Sequence, residues 1–124
     1  MITMDDSRRT EGSSESRKTL SFEDFQKVEM KIGKIKSAKP VEGATKLLNL
    51  TIDVGAETRQ IVAGMAGVYT TDQLVGMNVV VVMNLEPKKL RGIVSQGMVL
   101  AADAESGPVL LVPDKDVPAG TAVR

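Results

Sequence analysis

Apolar and polar residues alternate strictly through 47-LLNLTIDV-54, where Leu48, Leu50, Ile52 and Val54 share one parity and Asn49, Thr51 and Asp53 the other. A period of two predicts a strand with one buried face. The same period runs through 27-KVEMKIGKIKSA-38, with Val28, Met30 and Ile32 set against Lys27, Glu29 and Lys31. After Gly33 the parity flips, leaving Ile35 apolar between Lys34 and Lys36. A glycine with a one-residue phase change predicts a bulge, and so a long, bent first strand. A turn at 55-GAET-58 leads to a third strand over 59-RQIVAG-64, and 77-MNVVVVMNL-85 has the pattern of a strand buried on both faces.

Two short segments carry helix signals instead. Ser21 precedes 22-FEDF-25 with Asp24 three residues on, which predicts one capped turn anchored by Phe22 and Phe25. The piece 70-TTDQLVG-76 has helix-start residues and a terminal glycine. Pro87 and Gly92 then bracket a basic loop, 88-KKLR-91. The next stretch, 91-RGIVSQGMVL-100, reads as a strand interrupted by two polar residues and a glycine, which weaken a strand. A turn at 105-ESGP-108, a sixth strand over 109-VLLV-112 and a turn-rich end over 113–124 complete the chain. Strands at roughly ten-residue spacing with a short helix late in the order predict a small closed barrel. The class is all-β: an OB-fold, a five-stranded Greek-key barrel with short helices and a C-terminal strand and turn extension.

Composition narrows the chemistry. The 124 residues suffice for one domain, expected over 21–124, preceded by a polar tail over 1–20 rich in Ser, Arg, Asp and Glu. That tail lacks the apolar core of a signal peptide, and no apolar run approaches the roughly 18 residues of a membrane span. A cytoplasmic protein with no membrane association is expected. There is no cysteine and no histidine, which removes disulfides, thiolate nucleophiles, Ser-His-Asp catalysis and most zinc sites. Gly64 and Gly67 lack the spacing of a phosphate loop. The expectation is a non-catalytic protein without cofactor or metal.

The formal net charge is zero, but its distribution is uneven. Lys27, Lys31, Lys34, Lys36, Lys39 and Lys46 form one basic region and Lys88, Lys89 and Arg91 a second, while Asp103, Glu105, Asp114 and Asp116 are acidic. A neutral protein can still present a basic face; lysines alternating outward for solubility are the plain alternative. OB-folds often hold single strands by stacking bases on exposed aromatics. With two phenylalanines, one tyrosine and no tryptophan, this chain has little to stack on. A basic surface without aromatics suits a folded RNA recognised through phosphates, hydroxyls and shape.

The series 28-VEMKIGKI-35, 44-ATKLLNLTIDVG-55, 59-RQIVAG-64, 84-NLEPKKLRG-92 and 95-SQGMVLAA-102 resembles the tRNA-binding domain at the C-terminus of methionyl-tRNA synthetases, which also occurs as free-standing proteins. The resemblance runs from about Phe22 to the end. It implies a module that binds the outer corner of tRNA by shape without chemistry, with a methionyl-tRNA synthetase catalytic subunit as a possible partner. It also implies a homodimer built partly from the segment after the barrel. Lys31 stands where the family has arginine, and Thr45-Lys46 replaces Asp-Lys. The residues this assigns to tRNA are Lys31, Lys34, Lys46, Arg59, Asn84, Lys88, Lys89, Arg91, Ser95, Gln96 and Met98. Each has a plainer reading: Arg59 as partner of Asp53 or Glu57, Asn84 as a strand-ending turn residue, Met98 as core. Ser95 and Gln96 are expected at the surface, because a buried hydroxyl or amide needs a partner. The CsaA-type export chaperones, dimeric barrels credited with peptide binding, are the alternative branch.

Overall fold

The computed structural model describes residues 18–124; the expected tail lies outside the described residues up to residue 17. Helix α1 (Phe22–Phe25) starts where Ser21 Oγ accepts the Asp24 N–H at 3.0 Å, and the chain then enters β1 (Met30–Pro40). Strand β2 (Leu48–Asp53) buries Leu48, Leu50 and Ile52 and leaves the residues between them half-exposed, as its alternation requires. Strand β3 (Thr58–Ala63) follows, then α2 (Thr71–Leu74), held by a reciprocal box between Thr70 and Gln73. Leu74 of α2 is completely buried. Next come β4 (Asn78–Val82), β5 (Lys88–Leu90), β6 (Ile93–Ser95), β7 (Met98–Val99), β8 (Ala101–Ala104), β9 (Gly107–Leu110) and β10 (Ala122–Val123).

All pairings are antiparallel. The main sheet runs β3-β2-β1-β4-β7, with β10 added to β1; β5-β6 and β8-β9 are separate hairpins. Ile35, Leu50, Ile52, Ile61, Leu74, Val54, Val79 and Val81 fill the interior and are essentially inaccessible to water. Burying each side chain of this size contributes about 1.5–3 kcal/mol. The two ends of the strand path approach each other where the Gln96 N–H donates to Gln60 O at 2.8 Å, so the sheet is a nearly closed, OB-like barrel.

The expected bulge at Gly33 is not there. Pairing of β1 with β4 runs unbroken from Met30↔Val82 through Gly33↔Val79 to Lys34↔Asn78. The irregularity falls later, between Ile35 and Ser37 opposite β2. The parity flip has another cause: Ile32 is buried on one face of β1 while Gly33 and Ile35 face the core on the other. Gly33 is needed because a Cβ there would lie 2.5 Å from Ile52 Cγ2 and 3.1 Å from Val81 Cγ2. The two phenylalanines also depart from expectation. Phe22 is 65% exposed and Phe25 37%, so α1 does not anchor itself in the core.

Candidate nucleic-acid interface

The basic segment expected as a loop is a hairpin. Lys88 pairs with Ser95, Lys89 with Val94 and Leu90 with Ile93, leaving Arg91 and Gly92 as a two-residue turn. Their φ values, 51° and 82°, are those of a type I′ turn, whose twist matches the flanking strands. Among the described residues Arg91 is the one non-glycine with positive φ, a conformation that asparagine or glycine takes at lower cost. Lys88, Lys89 and Arg91 are all exposed, and alternation sends Lys88 and Lys89 to opposite faces of the hairpin.

The hairpin meets the barrel along a seam between β6 and β3 that side chains largely build. Ser95 Oγ accepts the Val62 N–H at 3.0 Å and donates to Gly97 O at 3.3 Å. Gln96 Oε1 accepts the Gln60 N–H at 3.0 Å, and Gln60 Nε2 donates to Val94 O at 3.0 Å. Gly97 then turns the chain at φ 144°, and a Cβ there would lie 2.8 Å from Val82 O. The interruption Ser95-Gln96-Gly97 is therefore the closure of the barrel. A hydroxyl and two amides stand in where regular strand pairing is not made.

Ser95 thus departs from its expected surface position: it is 5% exposed and both its bonds are internal. The burial is tolerable because the hydroxyl finds a donor and an acceptor. Arg59 is engaged inside the fold as well. Its Nε and Nη2 meet Glu57 Oε2 at 3.0 and 2.9 Å, and Nη1 donates to Met83 O at 2.7 Å and to Gln96 O at 3.1 Å. Three guanidinium hydrogen bonds and an ion pair thus commit Arg59 to protein partners. Asn84 accepts the Glu29 N–H at 2.8 Å and donates to Lys27 O, pinning the end of β4 to the entry of β1. Gln96 and Met98 are exposed beside this seam, Met98 to 45%, which rules out a core methionine.

The other predicted residues lie elsewhere. Lys46 sits in the β1–β2 connection toward the Ala63 end of β3, away from Arg59, its carbonyl accepting the Ala66 N–H. Lys34 pairs across the ladder with Asp53 and Asn78 and lines a shallow depression with Lys36 and Asp116. Lys31 lies 3.7 Å from Glu29 at the rim of an apolar groove of about 380 Å³. Phe22, Phe25, Val28, Met30, Ala122 and Val123 line that groove, joining the two ends of the described chain. Sequence reasoning missed Gln60, the hub of the seam; it lies in the polar half of β3, Thr58-Arg59-Gln60, where nothing sets it apart from its neighbours.

The family model of the putative tRNA-binding domain matches residues 30–122. The chain belongs to this family. It is 48% identical over 120 residues to a methionine–tRNA ligase of Methanothrix thermoacetophila, covering 94% of this chain and 18% of that protein. It is 47% identical over 116 residues to the corresponding ligase of Archaeoglobus fulgidus, covering 93% and 18%. The chain therefore spans less than a fifth of the curated relatives it matches. Among solved structures it is similar to a MetRS-related protein from Pyrococcus horikoshii, with TM-score 0.82 and 36% identity over 87% of this chain and all of that one. It is also similar to the chaperone CsaA of Bacillus anthracis, with TM-score 0.79 and 29% identity over 86% of this chain and all of that one. The resemblance read from the sequence motifs is borne out, and this tRNA-binding domain has the OB-like barrel expected of it. No helix among its described residues is long and apolar enough to cross a membrane.

Proposed function

We propose that this domain binds folded tRNA through phosphates and shape, with the β5–β6 hairpin as its principal contact. Lys88, Lys89 and Arg91 supply the cations, flanked by Gln96 and Met98. Arg91 carries the reading. Backbone strain concentrates at functional positions, and here it is held at the tip of a basic hairpin by a residue whose charge is exposed. The cations would release counterions from the RNA on binding. Lys31, Lys34 and Lys46, spread over other surfaces, would add attraction at longer range. Asn84, Ser95 and Arg59 hold the fold beneath the site.

The domain does no chemistry in this proposal; it serves a methionyl-tRNA synthetase in the cytoplasm as an accessory or β subunit. The groove lined by Phe22, Phe25 and Val123 is proposed to take a second copy of the chain, forming a homodimer. A surface that is apolar at its centre and built from α1, the start of β1 and β10 is suited to a self-complementary two-fold contact. The same groove and the similarity to CsaA favour a second reading, a dimeric peptide-binding chaperone.

Competition binding separates the two. Labelled tRNA is displaced by unlabelled tRNA, by an unstructured RNA of equal length, or by an unfolded protein client. The tRNA reading expects displacement by tRNA at far lower concentration than by the other two. Equal displacement by both RNAs overturns shape recognition, and displacement by the client favours the chaperone.

A further inference from the structure

We infer that Gln60 is a positioning residue, one that sets the pose of the basic hairpin without touching the bound nucleic acid. The inference rests on the tRNA-binding reading above and adds a residue that the motif resemblance did not single out.

Gln60 makes four bonds, and three reach the segment that carries the hairpin. Its main chain exchanges two with Gln96: the N–H donates to Gln96 Oε1 at 3.0 Å and the carbonyl accepts the Gln96 N–H at 2.8 Å. Its side-chain Nε2 donates to Val94 O at 3.0 Å, and its Oε1 accepts from Asn49 Nδ2 at 3.2 Å. Val94 is the residue paired with Lys89, and Arg91 follows one pair later at the turn. The amide therefore links β2, β3 and the strand facing the cations.

The hairpin has little else to fix it. Each strand is three residues long, and an isolated two-stranded hairpin is marginally stable. Beyond Gln60, its strand β6 is tied to β3 by the Ser95 hydroxyl on the Val62 N–H. With both Gln60 carboxamide groups engaged on protein partners, its side chain is committed to the seam. Removing it leaves β6 tied to β3 only at its Ser95–Gln96 end, by the Ser95 hydroxyl and the bonds of Gln96 to Arg59 and the Gln60 main chain, and frees the turn end of the hairpin from Val94 onward.

The test is a double-mutant cycle with a readout that needs no RNA. Q60L keeps bulk and both main-chain bonds but loses the two side-chain bonds. Hydrogen exchange of the free protein is expected to accelerate at least fivefold at the hairpin amides and not in β2 or β4. Affinity for tRNA is expected to fall about fivefold to twentyfold, the loss of one to two hydrogen bonds' worth of order. In a K89A/R91A background the same change should cost less than twofold, because cations that are gone no longer need positioning. An equal loss in both backgrounds means direct contact or general damage and overturns the inference. So does unchanged hairpin exchange. If K89A/R91A alone leaves tRNA affinity intact, the proposed function fails, while hairpin exchange still decides whether Gln60 positions the hairpin. Q60M, unbranched, takes the same measurements if the leucine variant does not fold.

Discussion

Replacing Ser95 by alanine removes one oxygen from the seam and leaves two groups behind it. The Val62 N–H, 3.0 Å from the lost Oγ, belongs to a residue only 8% exposed and points away from β2. An orphaned buried amide costs about 1–3 kcal/mol. The second partner, Gly97 O at 3.3 Å, makes a weaker contact and adds little. The remaining methyl fills nearly the same space, so no cavity is added. A loss of about 2 kcal/mol follows, and at about 4 °C per kcal/mol for a domain near 100 residues the melting temperature should drop about 8 °C. A typical domain stability of about 5–15 kcal/mol leaves the variant folded at 25 °C. Affinity for tRNA at that temperature should then stay within about twofold, because the Gln60 bonds to Val94 and Gln96 still hold the hairpin in place. Denaturant melting with tRNA titration at 25 °C checks both halves. A stability change below about 0.5 kcal/mol would refute the internal role of the hydroxyl. A stable variant that has lost tRNA would return Ser95 to the RNA-facing surface.

Gly97→Ala should cost more than Ser95→Ala, since about 1–3 kcal/mol of backbone strain at φ 144° adds to a contact 2.8 Å from Val82 O; chemical denaturation gives the ordering. Arg91→Asn should raise stability by about 0.5–1 kcal/mol while weakening tRNA binding, because Asn-Gly is the preferred type I′ pair. If stability falls instead, the turn is not strained. Phe22→Ser with Phe25→Ser should convert a dimer to a monomer in native mass measurement and abolish the concentration dependence of melting, as both rings are exposed in the single chain. A monomeric wild type removes that proposal outright.

Strands β1 to β4 were legible because period-two burial writes itself into residues such as Leu48, Leu50 and Ile52, and the two helices because Ser21 and Thr70 cap them, whereas the short strands β5, β8 and β10 carry no such pattern. The charge of the site was legible too, in Lys88, Lys89 and Arg91. What could not be read was direction. Whether Ser95 points in or out depends on how β6 meets β3, a contact between residues 33 positions apart, and a one-residue slip reverses it. Arg59 shows the same limit: its charge signals a phosphate equally well as the Met83 and Gln96 carbonyls it meets. Phe22 and Phe25 show another, because apolar composition does not separate a side chain packed on its own core from one exposed for a partner.

The claim that the β5–β6 hairpin binds tRNA through its cations is tested most directly by the salt dependence of affinity, measured for the wild type and for K88A/K89A/R91A. The account predicts a linear fall of log K with log salt, and a slope shallower by about one unit for each phosphate contact removed. A flat response in the wild type, or an identical slope in the triple variant, would contradict it.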